Sequence, residues 1–268
     1  MIFGEISLLA AALAVAAVLA PDADWNLPVL LILGALAILS DLRAIPITAR
    51  QVKASASFLA IVATATLLGA APALIVALAT ILATWVASRY DLGDLLINLV
   101  TYATFTVAAG ATFDIVRDEL ALGPDEAGYY LLLFAVFMGA LAIDFTMIAA
   151  YTAYVERSSF LTRLRTAFVP IIPTEAVSAL LTLGIAFAYH QVGVAAVALF
   201  GIVLVTFQTL LRELLISQER ASELEVRAKQ LAGFQVALLS ALLRTLDLRD
   251  RMTARHSAAV ARYARELA

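Results

Sequence analysis

The sequence predicts an all-α, polytopic membrane protein with about eight transmembrane helices, extended at its C-terminal end by a cytoplasmic helical stalk. Three observations carry this reading. Hydrophobic residues make up 63% of the chain and charged residues 15%, with a mean hydropathy of +0.96, whereas an ordinary soluble domain is roughly 45–50% apolar and about 25% charged. The excess is gathered into runs near the roughly 20 residues needed to cross a hydrocarbon core. Lysine and arginine fall almost entirely on alternate connections between those runs, the asymmetry that orients a helical membrane protein.

Composition also excludes some classes. A formal net charge of -3 gives no basic surface for a nucleic-acid partner; the partner implied throughout is the lipid bilayer. The chain has no cysteine, so disulfides, thiolate metal sites and thiol nucleophiles are absent.

Met1 to Ala20 reads as a first span. Val18-Leu19-Ala20 has the look of a cleavage site, but Glu5 stands where a basic leader would begin and Pro21 follows, so an uncleaved anchor is expected. Pro21 to Asp24 is a short acidic turn. Trp25 to Ser40 is a second span, and Asp41 to Lys53 a basic connector holding Arg43, Arg50 and Lys53. Ser55 to Leu68 and Pro72 to Ser88 form a tight pair joined through Gly69. Leu95 to Phe113 is the fifth span, followed by an acidic loop carrying Asp114, Asp118, Glu119, Asp125 and Glu126. Tyr129 to Val155, Val169 to Tyr189 and Gly193 to Leu211 complete the set.

On this count Arg43, Arg50, Lys53, Arg89, Arg157, Arg163 and Arg165 share one side, and Arg117 alone lies with the acidic loops. The rule that cytoplasmic connections carry the basic residues then places both termini in the cytoplasm of a multi-pass inner-membrane protein.

Beyond the last span, Leu210, Leu214, Ser217, Ala221, Leu224, Ala228 and Leu231 alternate in steps of four and three, the seam of a coiled coil. A homodimer through residues 210–231 is expected. The chain therefore divides into a sensor-like membrane domain (1–211), a coiled-coil linker (212–231) and a tail (232–268).

The tail reads as two amphipathic helices around a break at Asp247-Leu248-Arg249-Asp250-Arg251, with Thr253 capping the second. That helix would bury His256, Val260, Tyr263, Ala264 and Leu267 on one face. Leu248-Arg249-Asp250, Thr253, His256-Ser257, Val260, Tyr263-Ala264 and Leu267-Ala268 together resemble the opening helices of HD-type phosphohydrolases, most closely the HD-GYP family of cyclic dinucleotide phosphodiesterases. The resemblance covers about the last tenth of the chain. It implies that His256 is the first metal ligand of a site completed by later His and Asp residues, and that the intact parent hydrolyses a substrate such as cyclic di-GMP with divalent metal ions. Arg255 and Ala259 depart from the Gly and Arg common in the family. Met252 stands where three-metal members hold a glutamate, which implies a two-metal site. One histidine cannot hold a hydrolytic metal, so no metal is expected in this chain and no catalytic set is complete in it. A histidine kinase is the other helix-borne chemistry, but Ser257 rather than an acid follows His256 and no proline occurs after Pro173.

Within the spans, Asp144 is the residue that needs a partner. A carboxylate at a helix centre costs roughly 2.5–3.5 kcal/mol on the insertion scale, and such groups face a partner or a water-filled cavity. Asn98, Thr101, Tyr102 and Thr104 on the fifth span, and Thr174 and Glu175 on the seventh, are candidates to surround it, with Pro170 and Pro173 opening local backbone. Asn98, Tyr102, Asp144 and Glu175 are the candidate small-molecule ligand site; interhelical hydrogen bonding is the structural alternative. The helix pair around Gly69 is similar to small-molecule-binding membrane subunits of vitamin transporters. That resemblance implies a second class of function, a carrier or transporter subunit with a cytoplasmic docking helix.

Overall fold

The computed structural model describes residues 2–47, 52–54, 56–165, 169 and 171–267. It is helical apart from one short hairpin. The elements run α1 (Ile2–Leu19), a 3-10 turn (Ala20–Asp22), α2 (Leu27–Leu42), β1 (Ile45–Ile47), β2 (Val52–Ala54), α3 (Ser57–Leu67), α4 (Ala70–Ser88), α5 (Leu92–Glu119), α6 (Ala127–Val155), α7 (Phe160–Arg163), α8 (Ile172–Val192) and α9 (Val194–Leu267). Among the described residues, six helices are long and apolar enough to cross a membrane: α1 with its turn, α4, α5, α6, α8 and the first part of α9.

The second and third expected spans fall short of that length. At a rise of 1.5 Å per residue, the 11 residues of α3 cover only about half of a ~30 Å hydrocarbon core. The connector before it is not simply a loop. β1 and β2 pair antiparallel, Ile45 opposite Ala54 and Ile47 opposite Val52, while Thr48 to Gln51, with the expected cytoplasmic Arg50, lie outside the described residues. What α3 lacks in length it makes up in enclosure. Every residue from Ser57 to Thr66 is buried, so α3 is a central rod that neighbouring helices surround, and an apolar, Ala-rich sequence with no polar face suits that place.

Phe58 anchors this core, its ring 4.8 Å from Phe105 of α5 and edge-on to Phe137 of α6 at 5.1 Å. Helix α2 offers a regular face of Val29, Leu33, Leu36, Ala37 and Ser40, the spacing of a helix with one side packed. Its start is defined by Asn26, whose side chain accepts a hydrogen bond from the Val29 amide at 3.3 Å, with Pro28 in the first turn where a missing N–H costs nothing. At one end of the bundle the Asp24 amide donates to the Leu68 carbonyl at 3.0 Å. Gly69 there takes φ +96°, a conformation open to glycine, and turns the chain into α4. Helices α4 and α5 approach closely: a Cβ on Gly110 would lie 2.7 Å from the Ala70 N and Cα.

Two compact units divide the chain, residues 1–210 and 211–268. Within the first, the opening turns of α9 bury Val197 and Leu204, with Gly201 against Ile32 of α2 and Phe200 against Gly184 of α8. The second unit is helical throughout. The break expected at Asp247–Arg251 and the cap expected at Thr253 are both absent, because α9 runs as one helix to Leu267. No glycine or proline lies between residues 234 and 267, and single Asp, Arg and Thr residues in a helix interior cost only about 0.7 kcal/mol or less each. Polar interruption of an apolar stripe is not enough to stop a helix.

Candidate functional site

The polar interior of the membrane unit is organised around a residue that the apolar-run reading assigns to a connector. Asp41 belongs to the last turn of α2. Its Oδ1 accepts from the Ser57 hydroxyl at 3.0 Å and its Oδ2 from the Thr84 hydroxyl at 2.6 Å. One carboxylate thus ties together α2, the start of α3 and the end of α4. Ser57 and Thr84 are buried, so each hydroxyl needs the acceptor that this carboxyl group supplies.

The cluster continues across the bundle. Tyr102 of α5 lies beside Ser57 and within electrostatic range of both Asp41 and Asp144. Asp144 of α6 in turn senses Glu175 in the first turn of α8. Asn98 joins from the other side. It lies beside Tyr90 in the α4–α5 turn and donates to the Asp94 carbonyl at 2.7 Å. Burial, with Asp41 nearby, raises the Tyr90 hydroxyl above its usual range. Asp94 is held again by the Tyr151 hydroxyl at 3.2 Å.

Tyr102 and Asp144, and Asp144 and Glu175, are thus electrostatic neighbours, and Asn98 approaches them only by way of Tyr90, which like Tyr102 lies near Asp41. Other expected members do not serve Asp144. Thr104 donates to its own helix at the Val100 carbonyl, 2.7 Å away, Thr174 is exposed, and Pro170 lies outside the described residues. Asp144 is partly buried, yet its Oδ1 is shut off from solvent without a hydrogen-bond partner, as are the hydroxyls of Ser40, Thr101 and Thr106. No lysine or arginine occurs within 92–116, 127–155 or 172–192. The cluster combines carboxyl groups with hydroxyls and an amide and holds no lysine or arginine from these helices, an arrangement suited to a proton, a cation or a ligand amine.

The tail differs from expectation. His256 is exposed, and the face meant to bury it is open: Val260 is 53% and Tyr263 68% exposed. Among the described residues no three His, Cys, Asp or Glu side chains are grouped to hold a metal. The residues present do not fit a two-metal hydrolytic centre. The second histidine, His190, is engaged elsewhere, its Nε2 3.1 Å from the Tyr129 hydroxyl.

No family model, curated protein or solved structure matches the chain.

Proposed function

We propose that the chain is the membrane sensor and regulatory stalk of an HD-type, metal-dependent phosphohydrolase, whose substrate is a cyclic dinucleotide such as cyclic di-GMP. The observation that carries this reading is α9. A single helix, Val194–Leu267, begins as a membrane-crossing segment and ends in the residues that resemble the opening of an HD domain. His256 would contribute one metal ligand, and the remaining ligands would come from residues other than these.

The route from signal to tail follows the packing. The polar cluster draws on α2 through Asp41 and on α8 through Glu175, and these are the helices on which the opening turns of α9 rest. A ligand or proton bound differently in two arrangements of the cluster shifts the population of those arrangements, and α9 is the element placed to carry the shift.

The same cluster favours a second reading, a small-molecule carrier or transporter subunit with a docking helix. Substrate uptake into vesicles containing this chain alone supports the carrier; its absence, with binding retained, supports the sensor.

In the proposed topology both termini are cytoplasmic, residues 156–168 face the cytoplasm and 114–128 the outside. Single cysteines are readily introduced into a chain that has none. A cysteine at Phe160 should react with an impermeant reagent only after the membrane is opened, and one at Ala121 in intact cells. Labelling of position 160 from outside refutes the topology.

A companion expectation concerns metal. The 268-residue chain should bind Mn2+ no more tightly than its His256→Ala variant, because one imidazole is an incomplete ligand set. Calorimetric titration of the two proteins checks it, and a His256-dependent increase in affinity contradicts it.

A further inference from the structure

The stalk is an unbroken helix whose apolar stripe is exposed. Leu210, Leu214, Leu224, Leu231, Leu238 and Leu242 are 50–65% exposed. Helices draw most of their stability from packing such a face, so the stripe calls for an occupant.

Two features of the uninterrupted helix identify it. The four-three alternation does not stop at Leu231. It continues in phase through Gln235, Leu238, Leu242 and Thr245, which the continuity of α9 permits. In heptad terms Leu210, Ser217, Leu224, Leu231, Leu238 and Thr245 take the d positions, and Leu214, Ala221, Ala228, Gln235 and Leu242 the a positions. Four of the six d positions are leucine, and a polar residue such as Gln235 at a fixes the register of paired strands. Flanking charge agrees. In a parallel, in-register pair, Arg220 (g) of one helix meets Glu225 (e) of the other, and Phe234 (g) meets Leu239 (e). All four residues are exposed. Glu225 also has Lys229 at 2.7 Å on its own helix, an exposed i,i+4 pair that leaves carboxylate oxygen free for a second donor. At the next a position the sequence places Arg249, and like charges facing one another end the favourable seam.

We infer that the partner of this face is a second copy of the chain, joined as a parallel, in-register two-stranded coiled coil from Leu210 to Thr245 and opening at Arg249. This deepens the proposed function and rests on its membrane placement: copies whose α9 starts as a span in one bilayer share a direction, and confinement raises their effective concentration. The arrangement sets two His256-bearing tails side by side.

Disulfide trapping in native membranes tests it. Cysteines at the d positions Ser217, Leu224 and Leu238 should form covalent dimers about ten-fold faster than cysteines at the outer positions Val226 and Ser240, since Cβ atoms must approach to about 4 Å for a disulfide. Arg220→Glu should lower trapping at Leu224 roughly five-fold by turning two symmetric attractions into repulsions, and adding Glu225→Arg should restore it. Equal trapping at inner and outer positions, or no restoration by the charge swap, overturns the inference. Either result would point instead to a stalk lying on the bilayer or against another protein. Cysteine labelling at Phe160 reads the topology separately, so a wrong membrane placement is distinguishable from a wrong seam.

Discussion

Gly110→Ala is expected to destabilise the membrane unit by about 2–3 kcal/mol, the cost of overpacking a closed interface. The added methyl would meet not a flexible side-chain tip but the backbone N and Cα of Ala70 at 2.7 Å. The strain has no cheap outlet. Ala70 opens α4 directly after Gly69, whose φ of +96° already commits the turn, and α3 behind it is buried on all sides. To admit even one methyl, α4 and α5 must separate, and that loosens the Phe58–Phe105–Phe137 aromatic contacts they flank. Close approach through small residues is a main source of helix association in lipid, where hydrophobic burial contributes little. Gly139→Ala is the control, because a Cβ there has nothing within 4 Å. Thermal unfolding in detergent should show a clear drop for Gly110→Ala and almost none for Gly139→Ala. Equal midpoints would mean that the α4–α5 approach is wrongly placed.

Asp41→Ala is expected to cost about 1–3 kcal/mol, the range for removing an acceptor from buried hydroxyls. Ser57 and Thr84 are both buried and lose the oxygens they donate to at 3.0 and 2.6 Å. Thr84 has an alternative acceptor in the carbonyl one turn earlier in its own helix, as other threonines here use; Ser57 begins its helix and has no such preceding turn. Asp41→Asn keeps one acceptor oxygen and should retain roughly half of the stability. Ser57→Ala and Asp41→Ala should be strongly non-additive, the signature of residues in one network. Additive losses in the double variant would show that Asp41 and Ser57 act separately.

Helix positions were largely legible in the apolar runs, and the reasons for the exceptions are instructive. Span length is visible in sequence only when a polar residue marks the true end. Asp41 marks the end of an apolar run but belongs to the helix before it, because its carboxylate is satisfied by hydroxyls 16 and 43 residues away. Local periodicity carries no information about partners at that distance. For α3 the apolar run reads as one stretch from Ser55 to Leu68, and the described helix is Ser57–Leu67. The hairpin before it is three residues per strand, too short for an alternating pattern to register. In the tail, the polar run at Asp247–Arg251 suggested a break, yet helix propensity carries the backbone through it.

Asn98, Tyr102, Asp144 and Glu175 were recognisable because polar and ionisable groups in apolar helices are rare and need explanation. That Asp144 neighbours Tyr102 and Glu175, with Asn98 beside Tyr90, became visible only once the helices were packed. His256 was recognisable by its neighbours in sequence, and it is exposed on α9.

We propose that this membrane unit and stalk govern a metal-dependent phosphodiesterase through the helix that carries His256. Hydrolysis of cyclic di-GMP, with Mn2+ supplied, in native membranes of cells that express the protein tests this. Metal-dependent turnover is expected, falling by about a hundred-fold or more in His256→Ala, the scale of losing a group that holds a catalytic metal, with Arg220→Glu in the stalk changing the rate and Glu225→Arg restoring it. Turnover that is absent, or indifferent to His256, would contradict the proposal.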